Sequence, residues 1–111
     1  MRKAPRRYQA FSRKYHKIAI AYEEMGAACH AAGPLNEKTR ALIKLAISIG
    51  ARLEGGVHAQ TRKSLDAGAT PEELNHIALL AIPTIGFPPA MACMSWIEDI
   101  VKPLHSHRKG K

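Results

Sequence analysis

With 111 residues, 46% of them apolar and only 5% aromatic, the chain is long enough for one small domain and too short for two. Its alanine-rich, aromatic-poor composition favours close-packed helices over a β-sandwich. No apolar run approaches the roughly 20 residues that span a bilayer, and Arg13, Lys14, His16 and Lys17 break up any signal-peptide core, so a soluble cytoplasmic protein with no membrane partner is expected.

The net charge of +8 is unevenly placed. Residues 1–17 hold seven Lys/Arg and no acid, residues 102–111 hold four and no acid, and residues 18–101 set six bases against nine acids. A basic N-terminal segment (1–17), a mildly acidic helical body (18–101) and a basic tail (102–111) follow from that distribution. Excess charge at the ends reads as solvated termini that keep the protein soluble. A nucleic-acid partner is not expected, because the fold itself carries no basic, aromatic-interleaved surface.

Five helices are expected in chain order. The first runs from about Arg6 to Ala31, with Tyr8, Phe11, Tyr15, Ile18 and Tyr22 at helical spacing, and Gly33-Pro34 ends it. Asn36 is placed to cap the second, whose Leu42, Ile43, Leu45, Ile47 and Ile49 make it apolar nearly all round and imply burial on several sides. The third begins at Glu54-Gly55-Gly56 and stops at Gly68. Thr70-Pro71-Glu72-Glu73 opens the fourth with a capping box and a proline at N1, and Pro83 closes it. The fifth spans about Pro89 to Val101, with Pro103 as its stop and a frayed tail beyond. Pro83, Pro88 and Pro89 shape the turn before it, and Met91, Met94 and Trp96 read as core or interface. Nothing alternates like a strand, so the fold class is all-α in a single domain.

Cys29 and Cys93 stand far apart and share no C-x-x-C spacing. Both read as small buried apolar residues of an intracellular protein.

The order of motifs across residues 35–101 resembles the carboxymuconolactone decarboxylase and alkylhydroperoxidase-D family. Leu35 to Arg40 resembles the opening of its core helix, Gln60 to Gly68 its His-x-Arg-x-Ala-Leu-x-x-Gly helix, Thr70 to Leu74 its next capping box, and Gly86-Phe87-Pro88-Pro89-Ala90 its Gly-x-Pro-Ala turn. The resemblance implies packed helical hairpins assembled into a trimer or hexamer, acting either as thiol peroxidases or as cofactor-free decarboxylases. In ungapped register, the glutamate, Cys-x-x-C pair and histidine of the peroxidase branch fall on Ala41, Leu53, Gly56 and Gln60. A thiolate attacks peroxide and a second thiol resolves the product, and neither Leu53 nor Gly56 can do either. Gln60 cannot titrate in place of the histidine, which also weakens the decarboxylase assignment.

A different polar set occupies the same helix entry. Glu54 and His58 are four apart and share one helix face, a workable acid/base pair or half of a metal site. Gln60 is a candidate to orient a substrate carbonyl or carboxylate, Arg62 to attract an anion, and His76 on the next helix to complete the site. His30 suits a helix C-terminus, His16 a solvated face, and His105 and His107 a tail that binds metal only adventitiously. The expected function is a carboxymuconolactone decarboxylase-like acid/base enzyme without a cofactor, catalysing a decarboxylation or isomerisation of a small organic anion. A non-catalytic oligomeric scaffold that binds a ligand or partner is the alternative. A residual thiol peroxidase using Cys29 or Cys93 comes last.

Overall fold

The computed structural model describes residues 5–108, with side chains through Pro103. The described residues form six α-helices and no strand: α1 (Arg6–Lys14), α2 (His16–Ala31), α3 (Glu37–Gly50), α4 (Glu54–Asp66), α5 (Pro71–Ile85) and α6 (Phe87–Arg108). They divide into two compact units, Met1–Asn36 and Glu37–Lys111.

In the first unit the expected single helix is broken at Tyr15, which leaves helical dihedrals at φ −123° and ψ 60°. Hydrogen bonds reach the break from both sides: the Tyr15 N–H donates to Phe11 O (2.7 Å) and the Ala19 N–H to Tyr15 O (3.0 Å). The Tyr8 hydroxyl donates to the Glu23 carboxylate at 2.7 Å. Fifteen residues of straight helix would separate these two by about 22 Å, so α1 folds back along α2. That hydrogen bond pushes the Tyr8 phenol pKa upward. No glycine or proline marks the bend. The aromatic spacing that resembled one helix instead stacks Phe11 on Tyr8 and packs it at a tilt against Tyr15, at ring centroid distances of 6.4 and 5.3 Å.

In the second unit, α3 buries Ala41, Leu45, Ser48 and Ile49. Within one chain α3 is covered on one side only, and Ile43 and Ile47 stay 41% and 63% exposed. Its end is closed by Arg52 in the left-handed region, φ 58°. The Arg52 N–H donates to Ile49 O and the Leu53 N–H to Ser48 O, both at 3.0 Å, the paired bonds of a Schellman cap built on arginine where glycine is usual. α4 closes the same way at Gly68 (φ 101°), whose N–H reaches Leu65 O at 3.1 Å while the Ala69 N–H reaches Ser64 O at 2.9 Å.

The capping box of α5 forms as its sequence requires. Thr70 Oγ1 accepts the Glu73 N–H at 3.1 Å, and Glu73 Oε1 accepts the Thr70 N–H at 2.9 Å. Pro83 does not stop α5, which continues to Ile85. A proline in the last turn removes one donor and keeps a helical φ. The Thr84 hydroxyl also donates back to Leu80 O at 2.8 Å, and Gly86 (φ 104°) ends the helix. Pro88 and Pro89 lie in the first turn of α6, where the N–H groups have no partner within the helix and proline removes nothing. Pro103 also falls inside α6, which runs on to Arg108, past the expected stop. The side chains of His105 and His107 lie outside the described residues.

Helices α3 and α4 pack together, α5 packs on α6, and α4 also packs on α6. Their shared core is Leu45, Ile49, Val57, Leu74, Ala78, Ala90, Cys93 and Ile97, with Met94 and Trp96 half-buried against it. Fully burying a Leu, Ile or Val side chain is worth about 1.5–3 kcal/mol, so this apolar set fixes the α4–α6 contact that the site uses. No helix among the described residues is long and apolar enough to cross a membrane.

Candidate functional site

The tight α3–α4 connection sets the site. The arginine-based cap turns the chain within Ala51–Leu53, and Glu54 becomes the first residue of α4. A carboxylate there is favoured by the positive end of the helix dipole. His58 follows one turn later on the same face. The α4–α6 packing then brings Asp99, from the polar side of α6, against the imidazole. His58 Nε2 and Asp99 Oδ2 lie 2.9 Å apart. Glu54, His58 and Asp99 each offer one ligand-type atom, and these three atoms lie within 4.8 Å of one another. The His58 side chain is 24% exposed and that of Asp99 56%, so the site is a shallow surface cluster with the ring partly covered.

An ionised carboxylate only accepts hydrogen bonds, so the contact fixes the proton of neutral His58 on Nε2 and leaves the Nδ1 lone pair free. A carboxylate behind one ring nitrogen and a basic lone pair on the other make a unit able to take and return a proton. Glu54 adds a second carboxylate beside it.

The other expected residues lie around this centre to different degrees. Gln60 is two residues beyond His58, about 200° round the helix, and its Oε1 is buried without a hydrogen-bond partner among the described residues. Arg62, half-buried, continues the His58 face one turn on. His76 is exposed on α5 and stands outside the Glu54–His58–Asp99 cluster. Asp99 was missed by the sequence reading. It is 41 residues from His58, and only the α4–α6 packing brings the two together.

Cys29 is exposed, against the expectation of burial, and Cys93 is buried. The Cys93 thiol approaches Ile49 O at 3.7 Å, and burial pushes its pKa up, with Arg52 drawing it partly back.

The sequence model of the carboxymuconolactone decarboxylase family matches residues 17–99, three-quarters of the chain. The chain belongs to the carboxymuconolactone decarboxylase family. Its fold is similar to the crystal structure of apo-lpg0406, a carboxymuconolactone decarboxylase family protein from Legionella pneumophila. The TM-score is 0.71 at 18% identity, covering 87% of this chain and 86% of that one. No curated protein matches the sequence. Within the carboxymuconolactone decarboxylase fold, the first two turns of α4 therefore carry Glu54 and His58, with Leu53 and Gly56 at the positions aligned above with the thiol pair.

Proposed function

We propose that this protein is a carboxymuconolactone decarboxylase-like acid/base enzyme acting on a small organic acid, by decarboxylation or isomerisation. The observation that carries the reading is the 2.9 Å His58–Asp99 contact beside Glu54. Asp99 holds the ring, His58 Nδ1 takes a proton from an acidic C–H, and Glu54 serves the second proton transfer. Arg62, one turn along, attracts the substrate's carboxylate. Exposed apolar side chains on α3 and α5, Ile43, Ile47, Leu79 and Leu80, support self-association, and the proposed form is a trimer or hexamer in the cytoplasm.

A test that needs no named substrate is exchange in deuterated water. A set of keto acids and unsaturated lactone acids is incubated with the protein, and NMR follows loss of the acidic C–H signal. Exchange that His58→Gln and Asp99→Asn abolish is the expected result. Exchange unaffected by both variants would overturn the assignment. The openness of Asp99 favours a second reading, a non-catalytic binding scaffold. Under that reading the same compounds shift the NMR signals of α4 and α6 without exchange.

A further inference from the structure

We infer that Glu54, His58 and Asp99 form a binding site for a divalent transition-type cation such as Zn²⁺ or Mn²⁺, with the cation bridging to a carboxylate-bearing ligand. The inference rests on the acid/base reading for the identity of that ligand, and on geometry alone for the cation.

Three features carry it. The first is spacing: one nitrogen and two oxygen donors, from α4 and α6, lie within 4.8 Å of one another. Two neighbouring ligands at about 2.1 Å from a metal are about 3.0 Å apart in an octahedral site and about 3.4 Å apart in a tetrahedral one. The His58–Asp99 distance of 2.9 Å matches the octahedral spacing as well as it matches a hydrogen bond. A cation can sit against both atoms at this spacing once the ring turns towards it and its Nε2 proton moves to Nδ1, a state separate from the one in which Nδ1 is the base, and Glu54, exposed, swings inward.

The second is charge. Two carboxylates converge on one imidazole, so the site is negative when the ring is neutral, which favours a cation there. Arg62 lies a full turn further along α4. A divalent ion held by the three side chains cancels that negative charge and offers its open coordination positions to a carboxylate.

The third is ligand chemistry. Ca²⁺ and Mg²⁺ take oxygen ligands, whereas an imidazole between two carboxylates suits Zn²⁺ or Mn²⁺. Three protein ligands on an open surface leave further positions for water or a bidentate carboxylate, the arrangement of sites that bind ligands rather than closed structural ones.

The test titrates Zn²⁺ alone into the full chain by calorimetry, in a His105→Gln/His107→Gln background that removes the tail's own donors. One binding event is expected, weakened more than about tenfold by each of Glu54→Gln, His58→Gln and Asp99→Asn while the circular dichroism spectrum is retained. Mn²⁺ followed by electron paramagnetic resonance gives the same ranking. Affinity equal in all four proteins, or no binding in any, overturns the cation site. The deuterium exchange assay with and without a chelator separates the two claims. Exchange that persists in chelator, with no Zn²⁺ binding, ends the cation site and leaves the acid/base reading standing. Zn²⁺ binding lost in the three variants, with no exchange on any compound, does the reverse.

Discussion

Ser48 and Gly56 are in such close contact that a Cβ added to the glycine would stand 2.9 Å from Ser48 Oγ and 3.2 Å from Ser48 Cβ. Ser48 is buried on α3 and Gly56 is in the first turn of α4, between Glu54 and His58. The missing side chain therefore lets the two helices approach where the site begins. Gly56 is also the position aligned with the second cysteine of the peroxidase branch, so this chain uses close packing at a point where that branch places a thiol.

Gly56→Ala is accordingly expected to lower stability by about 1–3 kcal/mol, the usual range for overpacking, despite alanine's better helix propensity. Thermal unfolding measures it. Gly55, where an added Cβ meets nothing within 4 Å, is the matched control, and Gly55→Ala should be neutral or stabilising. If the two substitutions behave alike, the contact with Ser48 does not constrain the helices.

Thr70 and Glu73 yield a pH-dependent prediction. The Thr70 backbone N–H and then Lys38, whose ammonium lies 2.9 Å from the second carboxylate oxygen, hold the Glu73 pKa below its ordinary 4.5. A depressed folded pKa means the stabilisation is present above the unfolded value and is lost as pH falls through the folded one. Wild type should therefore lose its advantage over Glu73→Gln as pH drops below about 4.5. Lys38→Met should remove part of that dependence. Thr70→Ala breaks the box and should cost about 1 kcal/mol at neutral pH. A Glu73→Gln difference that stays constant from pH 7 to pH 3 would contradict the ion pair.

The two cysteines should differ sharply towards a thiol reagent. Cys29 is exposed, while Cys93 is fully buried with its thiol pKa raised above 9.0, so little thiolate forms and access is blocked. One thiol per chain should react promptly in the native protein and two after denaturation, with Cys29→Ser abolishing the fast phase. Without a vicinal partner for either cysteine, peroxide turnover should not exceed that of a Cys29→Ser/Cys93→Ser control.

What could be read from the sequence follows from how local each determinant is. The Thr70 box and the Gly68 cap are satisfied within a few residues, and both were legible. Tyr15 was not, because its bend depends on α1 folding back to place Tyr8 against Glu23, a relation 15 residues long with no breaker residue to announce it. Pro83 and Pro103 misled for the opposite reason: proline's fixed φ is helical, so although each loses a hydrogen bond and crowds one carbonyl, α5 and α6 run two and five residues beyond them. The cap that closes α3 after Gly50 was not legible, since Arg52 takes a left-handed position that is usually read from glycine. Two of the three residues of the candidate site, Glu54 and His58, were visible as an i,i+4 pair on α4. Asp99 was not, because nothing local distinguishes it from its neighbour Glu98.

The exposed stripe on α3 supports the last prediction. Ile43 and Ile47 are one turn apart, both large and both more than two-fifths exposed, while the opposite side of the same helix carries Leu45 and Ile49 in the core. α5 repeats the arrangement, with Leu74 and Ala78 buried and Leu79 and Leu80 about half exposed. An apolar surface of this kind on a chain of 111 residues is costly in water and is covered by self-association in many small helical proteins. Sedimentation should find a trimer or hexamer at micromolar concentration, and Ile47→Lys should shift it to smaller species without loss of helical signal. The stripe lies away from Glu54, His58 and Asp99 in sequence, so Zn²⁺ titration of the dissociated variant shows whether the site is complete within one chain. A wild-type protein sedimenting as a 12.2 kDa monomer would remove the case for assembly.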